Sequence, residues 1–190
     1  LAKYATQVTT WYGPTDSPKA AEGKKIVVLA ADMKNGGILG VVNGITEAAG
    51  KIGWEVTALD GAGSVQNRAA IFGQALALKP DGIVITGFDA LEQQASLEQA
   101  KAAGIPMVSW HAGPVIGPDE ASGVFANVST DPMEVSAAAA KWAFADAGGK
   151  PGVVIFTDST YAIAIAKADK IKATIEELGG TVLEYVDTPI

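Results

Sequence analysis

Residues 24–60, KKIVVLAADMKNGGILGVVNGITEAAGKIGWEVTALD, decide the fold. Ile26 to Ala30 is a continuous apolar run, the pattern of a strand buried on both faces. From Gly36 to Ile52, Ile38, Val41, Val42, Ile45, Ala48, Ala49 and Ile52 recur at three- and four-residue spacing, which predicts one apolar helix face. Gly53 supplies a helix stop, and Trp54 to Leu59 reads as a second strand.

The same alternation continues outward. Ser64 is placed to cap a helix whose inner face is expected to be Val65, Ala69, Phe72 and Leu76. Lys79-Pro80-Asp81-Gly82 is a turn, and Ile83 to Thr86 a third strand. A helix over 91–103 ends at Gly104, Ile105 to Trp110 is a fourth strand, and 113–122 reads as a loop. Val124 to Val128 is a fifth strand. Asp131-Pro132-Met133-Glu134 has Asp, Pro and Glu at the N-cap, first and third positions of a helix reaching about Ala147. A strand over 153–156, a helix over 162–178 and a strand over 182–186 complete the pattern. Strands alternating with helices require parallel pairing through right-handed crossovers, so the expected fold is α/β with a doubly wound parallel sheet. Residues 1–25 read as an arm whose Trp11 and Tyr12 pack on the body, 26–130 as a first lobe and 131–190 as the beginning of a second. Two helices and two strands after Asp131 are thin for a covered sheet, so the chain reads as cut short.

Composition narrows the chemistry. The 190 residues carry a net charge of −7, which disfavours nucleic acid and anionic membrane surfaces as partners. Absent cysteine excludes disulfides and thiolate chemistry, and no apolar run is long enough to insert in a bilayer. Asn35-Gly36-Gly37-Ile38-Leu39-Gly40 matches neither GxGxxG nor GxxxxGK[ST], so no nucleotide cofactor is expected. The single histidine, His111, lies in no HExxH pattern and no GxSxG elbow exists, so neither metal nor triad is expected.

Ligands of such folds bind at the carboxyl ends of the strands. Those loops hold Asp32 and Asn35, then Phe88 and Asp89, then Trp110 and His111, and finally Asp158 and Tyr161. Rings for stacking and carboxylates, amides and hydroxyls for hydrogen bonding suit a neutral polyhydroxylated ligand. Each has a plainer role beside it. Asp32 and Asp131 fit as loop or helix caps, Asp89 fits first as an N-cap, Trp110 as a strand-closing core residue and His111 as a bonded loop residue. Asp158 and Tyr161 fit as surface residues if the second lobe is incomplete.

The opening run KKIVVLAADMKNGGILGVVNGITEAAGKIGWEVTALDG resembles the start of ribose-binding-type (type I) periplasmic solute-binding proteins. ALALKPDGIVITGFDALEQQASLEQAKAAGIPMVSWHAG is similar to their next section, FANVSTDPMEV to their first crossing between lobes, and GVVIFTDSTYAIAIAKADKIKATIEELGG to the opening of their second lobe. The resemblance implies a periplasmic protein that holds a sugar or polyol between two lobes. It implies delivery to the membrane permease of an ABC importer, without catalysis. Asn35 matches the family's first binding loop, but Gly36 and Gly37 stand where rings are usual, and His111-Ala112 where Asp-Arg is usual. No arginine stands at 165–167, where the family's second lobe usually has one. Two further readings remain at this point. One is the ligand-sensing core of a lac-repressor-type regulator, which would need a basic helix-turn-helix ahead of residue 24. The other is a flavodoxin-like nucleotide-binding enzyme, which would need a phosphate loop.

Overall fold

In a computed structural model, the described residues are 10, 11 and 13–188. The chain divides into two compact units, one spanning Ala21–Asp131 and the other Pro132 onward together with the segment up to Ala20.

The unit of residues 21–131 contains β1 (Lys25–Ala30), α1 (Gly36–Lys51), β2 (Glu55–Asp60), α2 (Val65–Ala77), β3 (Gly82–Thr86), α3 (Gln94–Ala102), β4 (Met107–Trp110), β5 (Gly117–Asp119) and β6 (Val124–Val128). Its sheet has the order β2-β1-β3-β4-β6-β5. All pairings are parallel except that of β5 with β6. The chain leaves β1 toward β2, then returns past β1 to β3 and β4. Because parallel crossovers are right-handed, that reversal puts α1 on one face and α2 with α3 on the other. The doubly wound sheet expected from the sequence is therefore present.

The apolar run of β1 is buried as a strand covered on both faces must be: Val28, Leu29 and Ala30 are each fully inaccessible. Asn35 caps α1, its Oδ1 accepting from Gly37 N at 2.9 Å and Ile38 N at 3.3 Å. Ser64 caps α2 as its sequence position suggests.

Four local expectations need correction. The inner face of α2 is Arg68, Ile71, Phe72 and Ala75, while Val65 is exposed, because the helix enters the sheet rotated by about one position from the purely apolar stripe. The segment expected as one helix over 91–103 is a single 3-10 turn, Ala90–Gln93, followed by α3. The 113–122 loop contains the short antiparallel β5. Trp11 is 73% exposed and donates only locally, from Nε1 to Pro14 O, so it does not pack on the body; Tyr12 lies outside the described residues.

The wide apolar stripe of α1 is only partly covered. Ile38, Val42 and Ala49 are buried, but Ala48 and Ile52 remain exposed. With Ile83, Pro106 and Val108 they border an apolar groove of about 440 Å³ at the amino ends of the strands, the end opposite the loops considered below. The Lys24–Asp81 ion pair (2.9 Å) flanks it.

The other unit holds α4 (Pro132–Asp146), β7 (Gly152–Thr157), α5 (Ala162–Glu177) and β8 (Thr181–Asp187). β7 and β8 pair in parallel, and α4 and α5 pack on each other. α4 starts at Pro132, with Asp131 immediately before it, as the cap signature predicts. Phe156 and Leu183 are 69% and 67% exposed, so much of the two-stranded sheet is uncovered within this unit.

The Asp81 carboxylate accepts from Lys25 N and from the Lys24 ammonium, and these hold its pKa below the ordinary 3.8. The stability it contributes is therefore complete above 3.8 and lost as pH falls through its lower folded value. Melting temperatures of the parent and of Asp81→Asn should converge as the solution is acidified below that range. A gap that stays constant from neutral to acid pH would show that the charge contributes nothing.

Candidate functional site

Strand order reverses between β1 and β3, so the crevice of this sheet opens where the loops after those strands diverge. Each loop is braced by backbone and carboxylate hydrogen bonds. After β1, Asp32 Oδ1 accepts from Lys34 N at 2.8 Å, and Asp60 at the end of β2 accepts from Met33 N at 3.0 Å. After β3, Gly87 N donates to Trp110 O at 3.0 Å and Ala90 N to Ala112 O at 3.1 Å, which ties this loop to the one after β4. Gly87 has φ +80° and lies so near Ile38 that a Cβ would fall 2.6 Å from its Cδ1. Only glycine lets the β3 loop turn so close to α1.

Asp89, Trp110 and His111 are brought together. Asp89 Oδ1 accepts from Leu91 N at 2.9 Å, capping the 3-10 turn as its sequence position suggests. The same oxygen lies beside Gly113, in the turn that follows His111. The Trp110 and His111 rings are 4.4 Å apart at a tilt of 53°, and both residues are half-buried. The rings form a pair at the end of β4, and the Asp89 carboxylate lies beside Gly113, two residues beyond His111. Asp32 and Asn35 stand on the β1 loop, Asp32 against Gly63 of the β2 loop and Asn35 engaged at the start of α1. Both carboxylates and the Asn35 oxygen therefore spend acceptor capacity on the backbone.

Phe88, expected as a ligand contact in the β3 loop, is buried in this structure. It is 1% exposed, and its ring lies 5.5 Å from the Arg68 guanidinium carbon. In the other unit, Asp158 is 5% exposed rather than at the surface, and its Oδ1 accepts from Thr160 N and Thr160 Oγ1. Tyr161 directly precedes α5 and is half-buried. Ser159 donates through N and Oγ to the Asp187 carboxylate, which ties the β7 loop to the end of β8.

Sequence reading missed three residues that build these loops. Arg68 is fully buried on α2 and pairs with Glu92 at 2.9 Å, anchoring the segment after Asp89. Asp60 holds the β1 loop. Asn127, 4% exposed, bonds the β4 loop from β6. The signal for the last was present: a polar residue inside the apolar strand VFANV needs internal partners. Arg68 gave no such signal, since an arginine within a helix ordinarily reads as solvent-facing. Among the described residues, no group of three or more His, Asp or Glu is placed to hold a metal ion, and no helix is long and apolar enough to cross a membrane.

His111 sits at φ +49°, a left-handed conformation that strains a residue bearing a Cβ. His111→Gly removes that strain and His111→Ala keeps it. Both lose the ring contact with Trp110. The glycine variant should therefore be about 1 kcal/mol more stable than the alanine variant by denaturant titration. Equal stabilities would mean that the turn relaxes once the ring is gone.

Comparison with known proteins agrees with this architecture. Solved structures with the same fold include a sugar ABC transporter protein from Yersinia enterocolitica (17% identity, TM-score 0.76, covering 92% of this chain and 54% of that one). Another is a solute-binding protein from Burkholderia graminis in complex with D-arabinose (19%, TM-score 0.75, 90% and 58%). A third is a solute-binding protein from Agrobacterium vitis with bound allitol (20%, TM-score 0.69, 90% and 56%). The chain thus spans little more than half the length of these proteins. No curated protein sequence matches it. The periplasmic binding protein domain family matches residues 26–189, nearly the whole of the two units, and the chain belongs to that family.

Proposed function

We propose that this protein captures a small sugar or polyol outside the cytoplasm and delivers it to the membrane permease of an ABC importer, without chemically altering it. The observation that carries the reading is the Trp110–His111 ring pair at the end of β4, with the Asp89 carboxylate beside the same turn and on the strand end that borders the switch point. A ring offers a flat apolar surface to the C–H face of a sugar. A carboxylate with acceptor capacity left beyond one backbone bond accepts from its hydroxyls. Asp32 and the Asn35 amide nitrogen, on the adjoining β1 loop, are further contacts in this reading. Asp158 and Tyr161, on the loop after β7, are proposed as contacts for the same class of ligand. Family membership supports the reading, as do the D-arabinose and allitol bound to two structures of the same fold.

The test is a thermal-shift screen of the intact protein against sugars and polyols, D-arabinose and allitol among them. A ligand at a hundredfold excess over its dissociation constant adds about 2.7 kcal/mol, enough to raise the melting temperature by several degrees. Asp89→Ala and Trp110→Ala should each weaken binding of the scoring ligand by about tenfold or more while the fold is kept. Two variants that bind like the parent would move the site elsewhere. Turnover of any screened compound would overturn the transport reading.

A further inference from the structure

Asn127 lies on β6 directly across from Ser109 on β4. A carboxamide offers one oxygen with two acceptor positions and one nitrogen with two donors. Here all four are used. Oδ1 accepts from Ser109 Oγ at 2.9 Å and from Ala112 N at 3.2 Å. Nδ2 donates to Val115 O at 2.7 Å and to Gly113 O at 3.3 Å. The orientation of the amide follows from its partners, since a backbone N–H needs the oxygen and two carbonyls need the nitrogen. In a strand the side chain would ordinarily pack against apolar neighbours; this one is buried at 4% exposure and stitches a turn instead.

The four partners bracket one residue. Ser109 precedes His111 by two positions, and Ala112, Gly113 and Val115 follow it. The enclosed His111 has φ +49°, rarely adopted by residues other than glycine, and its own N–H donates to Val128 O, one residue beyond Asn127. Without the amide, the N–H of Ala112 and two carbonyls lose the partner that bends the chain here. We propose that Asn127 is the positioning residue of the ligand site: its amide holds the 111–115 turn in place, imposes the left-handed backbone at His111, and so sets the Trp110–His111 pair. This inference rests on the ligand-binding reading above, and the experiment has one readout that depends on that reading and one that does not.

Asn127→Asp keeps the acceptor facing Ser109 and Ala112 but, near neutral pH, turns a carboxylate toward two carbonyls. Burial raises the pKa of the new acid, and protonation restores one O–H donor toward Val115. The groups bonded to the amide do not titrate, but His111 in the same turn does, so every affinity is expressed relative to the parent at the same pH. Binding of D-arabinose or allitol should fall about tenfold near neutral pH and return toward the parent in mild acid. The second readout is the imidazole NMR resonance of His111, the only histidine, in the ligand-free protein. It should be displaced in the variant near neutral pH and move back toward the parent's position as the acid protonates. An unmoved resonance with parental affinity would overturn the proposal, as would a loss that acid does not reverse. If the parent binds neither compound, the ligand reading suffers and the His111 resonance alone decides the role of Asn127. Should the aspartate variant not fold, Asn127→Ser removes the bridge without a charge. It should displace the same resonance, and an undisplaced one would overturn the proposal.

Discussion

The handedness of parallel crossovers is the constraint from which this architecture follows. A chain that leaves β1 for β2 and then returns to β3 must wind in opposite senses on the two sides of β1. Helices then cover opposite faces, and the loops after β1 and β3 part company. The gap between them is a geometric consequence of the strand order, not of any particular side chain. Binding residues need only be placed on loops that already face it.

Holding those loops still is a separate problem, and the chain solves it with buried polar groups. Loop backbone near the core exposes N–H and C=O groups that need partners. Asp60 supplies one for the β1 loop, the Arg68–Glu92 pair anchors the segment after β3, and Asn127 meets four groups around the turn after β4. Arg68 is the costliest, since a guanidinium removed from water must be compensated by its carboxylate and by the facing Phe88 ring. Asp89, Trp110 and His111 are the half-buried members of the loops braced in this way.

The two units differ in the size of their sheets. The six-stranded sheet of residues 21–131 carries α1 on one face and α2 with α3 on the other, yet Phe125 and Val128 of β6 remain exposed. The two-stranded sheet of β7 and β8 likewise leaves Phe156 and Leu183 exposed, in line with a sequence whose elements after Asp131 are thin for a covered sheet. A parallel sheet ordinarily has both faces covered, and Phe125, Phe156 and Leu183 depart from that rule where the run of β1 obeys it.

What the sequence determined by itself is the order of elements and the location of the crevice. Apolar runs of β1 and β3, the stripe of α1 and the caps at Ser64 and Asp89 are local signals, readable from the two-residue repeat of a strand, the 3.6-residue repeat of a helix and the residue types that suit a helix start. Loop positions follow from them, and so do Asp89, Trp110 and His111 as strand-end residues. Which of those side chains face outward was decided only by tertiary structure. Phe88 and Asp158 turned inward because burial depends on what approaches from elsewhere in the chain, here Arg68 above the Phe88 ring. Asn127 and Arg68 acquired their roles in the same way. Their partners lie 12 to 24 residues away, a separation that no periodicity reports and only the packed sheet brings within hydrogen-bond distance.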